Sequence, residues 1–309
     1  MGVARVLRIG TRGSPLALAQ ARLVQAALAA ADPALAAPGA VETVVIRTTG
    51  DAVLDRPLAE IGGKGLFTKE IDEALLDGRI DLAVHSMKDV PTVLPEGILI
   101  AAMPERADVR DVLLAAGAGR LAELPAGCVV GTASLRRAAQ VLAARPDLAV
   151  VPLRGNVQTR LDKLARGEVG ATLLAAAGLA RLGLGSAGGV PLDPDEMLPA
   201  VAQGAIGIAC RSDDAPVRAA LAPLGHPPTM RCVAAERALL ATLDGNCRTP
   251  IAALAVLGPD GLELRGLLAA PDGGRVARVA RRGAAAEAER LGRDAGDELL
   301  RAGQGWASG

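Results

Sequence analysis

Within the run His85-Ser86-Met87-Lys88-Asp89-Val90-Pro91 the chain brings together an imidazole, a hydroxyl, an ammonium and a carboxylate. Such a set can move protons and stabilise a developing cation. The mainly apolar residues before it, 80–84, read as a short buried strand, with the run just past its C-terminal end. That is where open α/β sheets bind ligands, and Pro91 stops the strand from continuing. A solvated turn after a strand is the alternative reading.

A second chemical device recurs at three strand-to-helix turns. Thr11-Arg12-Gly13-Ser14-Pro15 places Ser14 as an N-cap and Pro15 at the first helical position. Thr132-Ala133-Ser134-Leu135-Arg136-Arg137 puts hydroxyls and two guanidiniums at another helix start, and Arg154-Gly155-Asn156-Val157 repeats the theme with Arg160 about one turn on. A helix N-terminus favours anions, and Arg grips a carboxylate through two parallel hydrogen bonds. The three together suggest a cleft for a ligand with several carboxylates or phosphates; surface arginines paired with local Glu and Asp are the alternative. Gly62-Gly63-Lys64-Gly65-Leu66-Phe67 lacks the ending of a Walker A loop and the spacing of a dinucleotide fingerprint, so it reads as a lid or an ordinary turn rather than a nucleotide site. Of the four cysteines, Cys128, Cys210 and Cys232 read as core or helix residues. Cys247 lies in a loop marked by Gly245, Asn246 and Pro250, with Arg248 adjacent to favour thiolate.

Hydrophobic patterning supplies the framework around these groups. Short β-like runs at 6–9, 41–47, 80–84, 128–130, 149–153 and 171–175 alternate with helical stretches at 15–28, 66–76, 135–144 and 157–166. That alternation predicts α/β sheets. Met103-Pro104-Glu105-Arg106 and Leu198-Pro199-Ala200 read as hinge crossings around an inner block. Beyond the Pro/Gly-rich stretch at 223–228 a helix at 231–243, strands near 252–257, 262–269 and 275–281, and a charged helix at 284–301 predict a small α+β domain. The expected division is domain 1 at 1–103 and 200–222, domain 2 at 104–199 and domain 3 at 223–309.

Composition narrows the function classes. Formal net charge is +0, and Phe67 and Trp306 are the only aromatics, which argues against nucleic-acid stacking platforms and a membrane-attracted surface. The cysteines show no metal-ligand or disulfide spacing. No apolar run approaches the ~18 residues that cross a bilayer, and no signal peptide is evident, so a cytosolic chain with reduced thiols is expected. The only lysines are Lys64, Lys69, Lys88 and Lys163, which singles out the first three because a compact ammonium is not interchangeable with a guanidinium.

Taken together, these stretches resemble the hydroxymethylbilane synthase (porphobilinogen deaminase) family over nearly the whole chain. The resemblance rests on Thr11-Arg12-Gly13-Ser14-Pro15-Leu16-Ala17-Leu18, the Gly62–Phe67 loop, His85 to Pro91, Gly131 to Arg137, Leu153 to Arg160, Gln203-Gly204-Ala205, and Cys247 with Pro250. It implies two hinged domains like type II periplasmic binding proteins plus a small third domain, a monomeric state and a dipyrromethane cofactor joined by a thioether to Cys247. It also implies head-to-tail addition of four porphobilinogen units, each losing ammonia, before water releases the linear product. By this resemblance Asp89 is the catalytic carboxylate and Lys88 assists it. Lys64, Ser86, Lys88, Asp89, Thr132, Ser134, Arg136, Arg137 and Arg160 contact the cofactor, and Arg12, Ser14, Gln20, Arg154, Arg181 and Gln203 bind substrate. Ala133 and Asn246-Cys247-Arg248-Thr249 depart from the commoner family pattern without removing a group the chemistry needs. A solute-binding module would also explain hinged domains and arginines but not Cys247. A cysteine-nucleophile enzyme would need a base from His85 or His226.

Overall fold

The computed structural model describes residues 6–52, 65–185, 188–243, 250–304 and 306. The chain forms two compact units, Met1–Ala107 with Ala205–Met230, and Asp108–Gly204 with Arg231–Gly309. In the first unit, strands β1 (Leu7–Arg12), β2 (Val41–Ile46), β3 (Leu82–Ser86), β4 (Ile98–Ala102) and β10 (Ile206–Arg211) make one sheet in the order β2-β1-β3-β10-β4. β1 runs parallel to β2 and β3, while β10 runs antiparallel to β3 and β4. Successive residues point to opposite faces of a strand. Accordingly Leu82 and Val84 join a core with Val24 and Leu28 of the helix Pro15–Ala31, whereas Ala83 joins one with Ile71 and Leu75 of the helix Lys69–Leu76.

The second unit repeats this plan with β5 (Asp111–Ala115), β6 (Val129–Gly131), β7 (Ala149–Val151), β8 (Ala171–Ala175) and β9 (Val190–Pro191), in the order β7-β6-β8-β5-β9. Again the central parallel trio is completed by an antiparallel strand, β5. The same unit carries an antiparallel sheet of β11 (Ile251–Gly258), β12 (Gly261–Ala269) and β13 (Val276–Gly283), with the helix Ala288–Gly303 packed against it. Ala252, Leu254, Leu267 and Ala269 of this sheet share a core with Ala139 of the helix Leu135–Ala144. The α/β class with a small α+β addition is as the sequence predicts.

Several boundaries move for identifiable reasons. The strand expected at 80–84 runs instead over Leu82–Ser86, because His85 and Ser86 pair with Gly207 and Ile206 of β10. The stretch read as a linker ends by opening a helix, Pro227–Thr242, since proline is tolerated in a first turn. β4, β5 and β10 have no counterpart in the predicted strands. They are short apolar runs of five or six residues, which periodicity alone does not separate from helix.

Gly273 (φ +72°) fixes how closely the helix Leu135–Ala144 meets the C-terminal sheet's loop: a Cβ there would lie 2.5 Å from the Ala143 nitrogen and 2.7 Å from the Ala139 oxygen. Backbone cannot give way as a side chain can. Gly273→Ala is expected to lower the unfolding free energy by about 1–3 kcal/mol in chemical denaturation; an unchanged midpoint would show that this contact yields without cost.

Candidate active site

In the first unit the chemistry gathers where β1 and β3 end. Arg12, Ser14, Gln20, Phe67, Thr68, His85, Ser86 and Asp89 line one cavity. Ser14 caps the helix Pro15–Ala31, its Oγ accepting from the Ala17 N–H at 3.3 Å, which leaves its own O–H available to donate. Gln20 and Ser86 are hydrogen bonded, Nε2 to Oγ at 2.8 Å. The Arg12 guanidinium lies 4.1 Å above the Phe67 ring, so the aromatic nearest the site holds a cation by its face. After Ser86 the chain makes a single tight turn, Met87–Asp89. Met87 is buried and its N–H bonds to the Ala205 carbonyl at 3.0 Å, while Lys88 and Asp89 on the same turn are exposed. One buried anchor thus presents an ammonium and a carboxylate at the strand end.

His85 is buried on β3, and that burial, with the Arg12 charge as the smaller cause, pushes its imidazole down to about 4. It is neutral near pH 7 and is poorly suited to carry a proton there. Asp72, on the helix Lys69–Leu76, moves the other way: burial pushes its carboxyl up to about 6.

In the second unit the hydroxyls and guanidiniums expected at helix starts are held by specific bonds. Thr132 Oγ1 accepts from Ser134 N–H at 3.1 Å, and Ser134 Oγ caps the helix Leu135–Ala144 by accepting from Arg137 N–H at 3.4 Å. Asn156 Oδ1 caps the helix Val157–Ala165 through Thr159 N–H at 2.9 Å. Gly155 (φ +119°) precedes it, where a Cβ would meet Thr159 at 2.7 Å. Arg160 Nε donates to the Gly155 carbonyl at 2.8 Å, so its guanidinium lies back over the start of its own helix. A cation is disfavoured there by the helix dipole. Burial first, then the charges of Arg137 and Arg154, push Arg160 down to about 10, and no carboxylate pairs with it among the described residues. Arg181 Nη2 donates to the Gly204 carbonyl at 2.6 Å, and burial lowers its ordinary value too.

Arg136 and Arg137 differ from the expectation of open carboxylate binders. Both are 5 % exposed, and both face Asp111, which is fully buried, at 2.7 and 2.6 Å. The two guanidiniums outweigh burial and hold the Asp111 carboxyl far below the usual range. Gln203 Nε2 donates to the same carboxylate at 3.0 Å and to the Val109 carbonyl at 2.8 Å. The sequence reading missed Asp111, which carries no local motif. Thr68 was missed as well; it is buried on the cavity wall, at the start of the helix Lys69–Leu76. Cys247 and the first half of the Gly62–Phe67 loop, Lys64 included, lie outside the described residues. His226, the other candidate base, has its Nδ1 2.9 Å from Thr229 Oγ1.

Because folded His85 binds its proton more weakly than the unfolded imidazole at 6.5, its contribution is complete above that pH and is lost as pH falls through about 4. The loss is at most about 3 kcal/mol. Asp72 has the opposite sign, its cost growing as pH rises through about 6, so the two must be separated by substitution. Stability measured from pH 7 to pH 4 (roughly the window of both groups) should fall less in His85→Gln than in the unsubstituted chain; parallel curves would remove His85 from the acid response.

Comparisons with known proteins place the chain among close relatives. A family model described as porphobilinogen deaminase, dipyromethane cofactor binding domain, matches residues 7–219, and one described as porphobilinogen deaminase, C-terminal domain, matches 230–301. A chloroplastic porphobilinogen deaminase from Oryza sativa subsp. japonica is 59% identical over 305 residues, covering 97% of this chain and 85% of that protein. A porphobilinogen deaminase from Syntrophobacter fumaroxidans is 53% identical over 299 residues, covering 97% of this chain and 96% of that protein. Among solved structures, a periplasmic substrate-binding protein from Coxiella burnetii aligns at TM-score 0.42 with 17% identity over 75% of this chain and 97% of its own, a likeness too loose to carry weight.

Proposed function

The chain belongs to the porphobilinogen deaminase family, and we propose that Asp89 is its catalytic carboxylate and that the guanidiniums of the second unit hold the carboxylates of its cofactor and growing product. The reaction joins four porphobilinogen units head to tail with loss of ammonia and releases hydroxymethylbilane for tetrapyrrole synthesis. For each unit, the bond from the aminomethyl carbon to nitrogen breaks, ammonia leaves, and a carbon–carbon bond forms with loss of a pyrrole proton.

The observation that carries the residue assignment is the gathering of Arg137, Arg154 and Arg160, with Arg160 half-buried among like charges at a helix start. Such a cluster is costly alone and suits a polyanion. Dipyrromethane, built from two porphobilinogen units, has four carboxylates and fits that donor set; when bound, it supplies the pyrrole end to which new units are added. Arg136, Arg137 and Arg160, with the O–H groups of Thr132 and Ser134, would hold it, together with Lys64, Ser86 and Lys88, and Cys247 would attach it by a thioether. Arg154, Arg181 and Gln203 in the second unit, and Arg12, Ser14 and Gln20 in the first, would take the acetate and propionate arms of incoming substrate.

Asp89 does the chemistry in this reading. Its exposed carboxylate sits on the turn beside Ser86 and shares a cavity with Arg12 and Gln20. Departure of ammonia leaves a cation on the substrate, which a fixed carboxylate oxygen stabilises, and the same oxygen can take the pyrrole proton. Lys88 on the same turn adds a carboxylate contact. The division into domains at 1–103 with 200–222, 104–199 and 223–309 is retained as the working functional one. A cytoplasmic monomer acting on a small molecule is the reading that the family resemblance supports, and a formal net charge of +0 gives no overall field to draw nucleic acid or an anionic membrane.

A carboxylate ~4 Å from the cation at an effective dielectric near 20 contributes roughly 4 kcal/mol, or about three orders of magnitude in rate. Asp89→Ala should therefore reduce turnover about 1,000-fold while Asp89→Glu keeps measurable activity; unchanged turnover in the alanine variant would sink the assignment. Intact mass gives the second test. The purified chain should carry an excess equal to two porphobilinogen units less two ammonias, and Cys247→Ala should lack it. An adduct that persists in that variant would place the attachment elsewhere.

A further inference from the structure

Arg136 and Arg137 occupy the first turn of the helix Leu135–Ala144, side by side and almost wholly buried. Two guanidiniums so placed repel each other, and the helix N-terminus repels both. Asp111 Oδ1 accepts from Arg137 Nε at 3.1 Å, Arg137 Nη2 at 2.6 Å and Gln203 Nε2 at 3.0 Å, while Oδ2 lies 2.7 Å from Arg136 Nη2. Each guanidinium is also fixed from a second side: Arg137 Nη1 donates to the Leu173 carbonyl at 2.8 Å, and Arg136 Nη1 to the Leu198 carbonyl at 2.7 Å. One carboxylate between two cations leaves a net positive charge. It also leaves a buried donor, since Arg136 Nε has no hydrogen-bond partner. Buried donors are rarely left open. The pair is therefore assembled but not saturated.

We propose that Asp111 is a positioning residue: it stands in for a ligand carboxylate and keeps Arg136 and Arg137 assembled in the chain before its dipyrromethane is attached. This rests on the reading that these arginines hold the cofactor's carboxylates. Asp111→Asn keeps the shape and one acceptor but removes the charge. In an unloaded chain that leaves two buried guanidiniums uncompensated, which is strongly destabilising. In a loaded chain the attached carboxylates supply part of the missing charge, so the same substitution costs less. A carboxylate that only held the fold together would cost the same in both.

The test compares thermal midpoints of four proteins. Two are loaded, with and without Asp111→Asn, their adduct verified by intact mass after incubation with porphobilinogen. Two are unloaded, both carrying Cys247→Ala. The midpoint drop from Asp111→Asn should be about twofold or more larger in the unloaded pair. A folded Asp111→Asn chain that fails to acquire the adduct would support the proposal equally. Equal drops in both pairs, or none in either, would overturn it. Should Asp111→Asn not fold, Asp111→Glu retains the charge and should keep the unloaded midpoint near that of Cys247→Ala alone; loss of fold in that variant too would overturn the charge-holding role. The underlying reading is checked separately by Arg137→Gln. If that variant loads fully and is stabilised by the adduct as much as the unsubstituted chain, the arginines do not hold the group, whatever Asp111 does.

Discussion

Burying two guanidiniums in the first turn of one helix is untenable without a carboxylate, and Asp111 supplies it from β5. Much of the second unit's arrangement stems from that need. The strand bearing Asp111 lies antiparallel in the sheet, next to β8, whose Leu173 carbonyl receives Arg137. The segment before β10 must return close enough for Gln203 to reach the same carboxylate, and Gln140, one turn after Arg136, exchanges bonds with Leu198 at 2.9 and 3.0 Å. Removing one partner from such a group leaves the others buried and unpaired, so the network stands or falls together.

The two α/β sheets share an order and divide the chemistry. β1 and β6 hold equivalent places and each leads into a helix capped by serine, Ser14 or Ser134. β3 and β8 are likewise equivalent. After β3 the chain turns tightly to present Lys88 and Asp89, and after β8 it enters the short helix Ala176–Arg181 that carries Arg181. One plan thus presents an exposed carboxylate in the first unit and a set of cations in the second. The difference lies in the segment joined to the end of each strand, not in the scaffold.

Local devices were legible in the sequence because their partners are neighbours in the chain. Ser14, Ser134 and Asn156 sit three residues from the N–H groups they cap, and the pattern Arg154-Gly155-Asn156 marks its turn without tertiary information. The pairing of Arg136 and Arg137 was not legible. Their carboxylate is 26 residues from Arg137 and belongs to a charged run with no motif, while Gln203, which shares it, is 92 residues from Asp111. Ligand binders and partners of a local acid, the two roles that sequence suggests for these arginines, both miss a distant internal acid. The extension of β3 through His85 and Ser86 was hidden for a related reason. Polar residues end a strand in a sequence pattern, but here β10 supplies their backbone partners, and the imidazole is buried. Cys247 was singled out by loop signals and resemblance alone, and it lies outside the described residues.

The flanks of that cysteine are nonetheless anchored within the unit that holds the arginines. Before it comes the helix Pro227–Thr242; after it, β11 begins at Ile251, and the Pro250 carbonyl accepts from Ala269 N–H at 3.0 Å. Glu236 of that helix is fully buried, and its two oxygens accept from Ala255 N–H on β11 at 2.8 Å and from Ala202 N–H at 2.6 Å. Ala202 is the one non-glycine residue with positive φ among the described residues, at 59°. An alanine is held in that region only when its surroundings impose it, and a hydrogen bond from its N–H to a buried side chain is such an imposition. From Ala202 the chain passes at once to Gln203, which meets Asp111, and to Gly204, whose carbonyl receives Arg181. A single buried carboxylate on the helix leading to Cys247 therefore ties the strand on the far side of that cysteine to the segment that braces the arginines. The described flanks of Cys247 and the cations thus share one continuous hydrogen-bonded path.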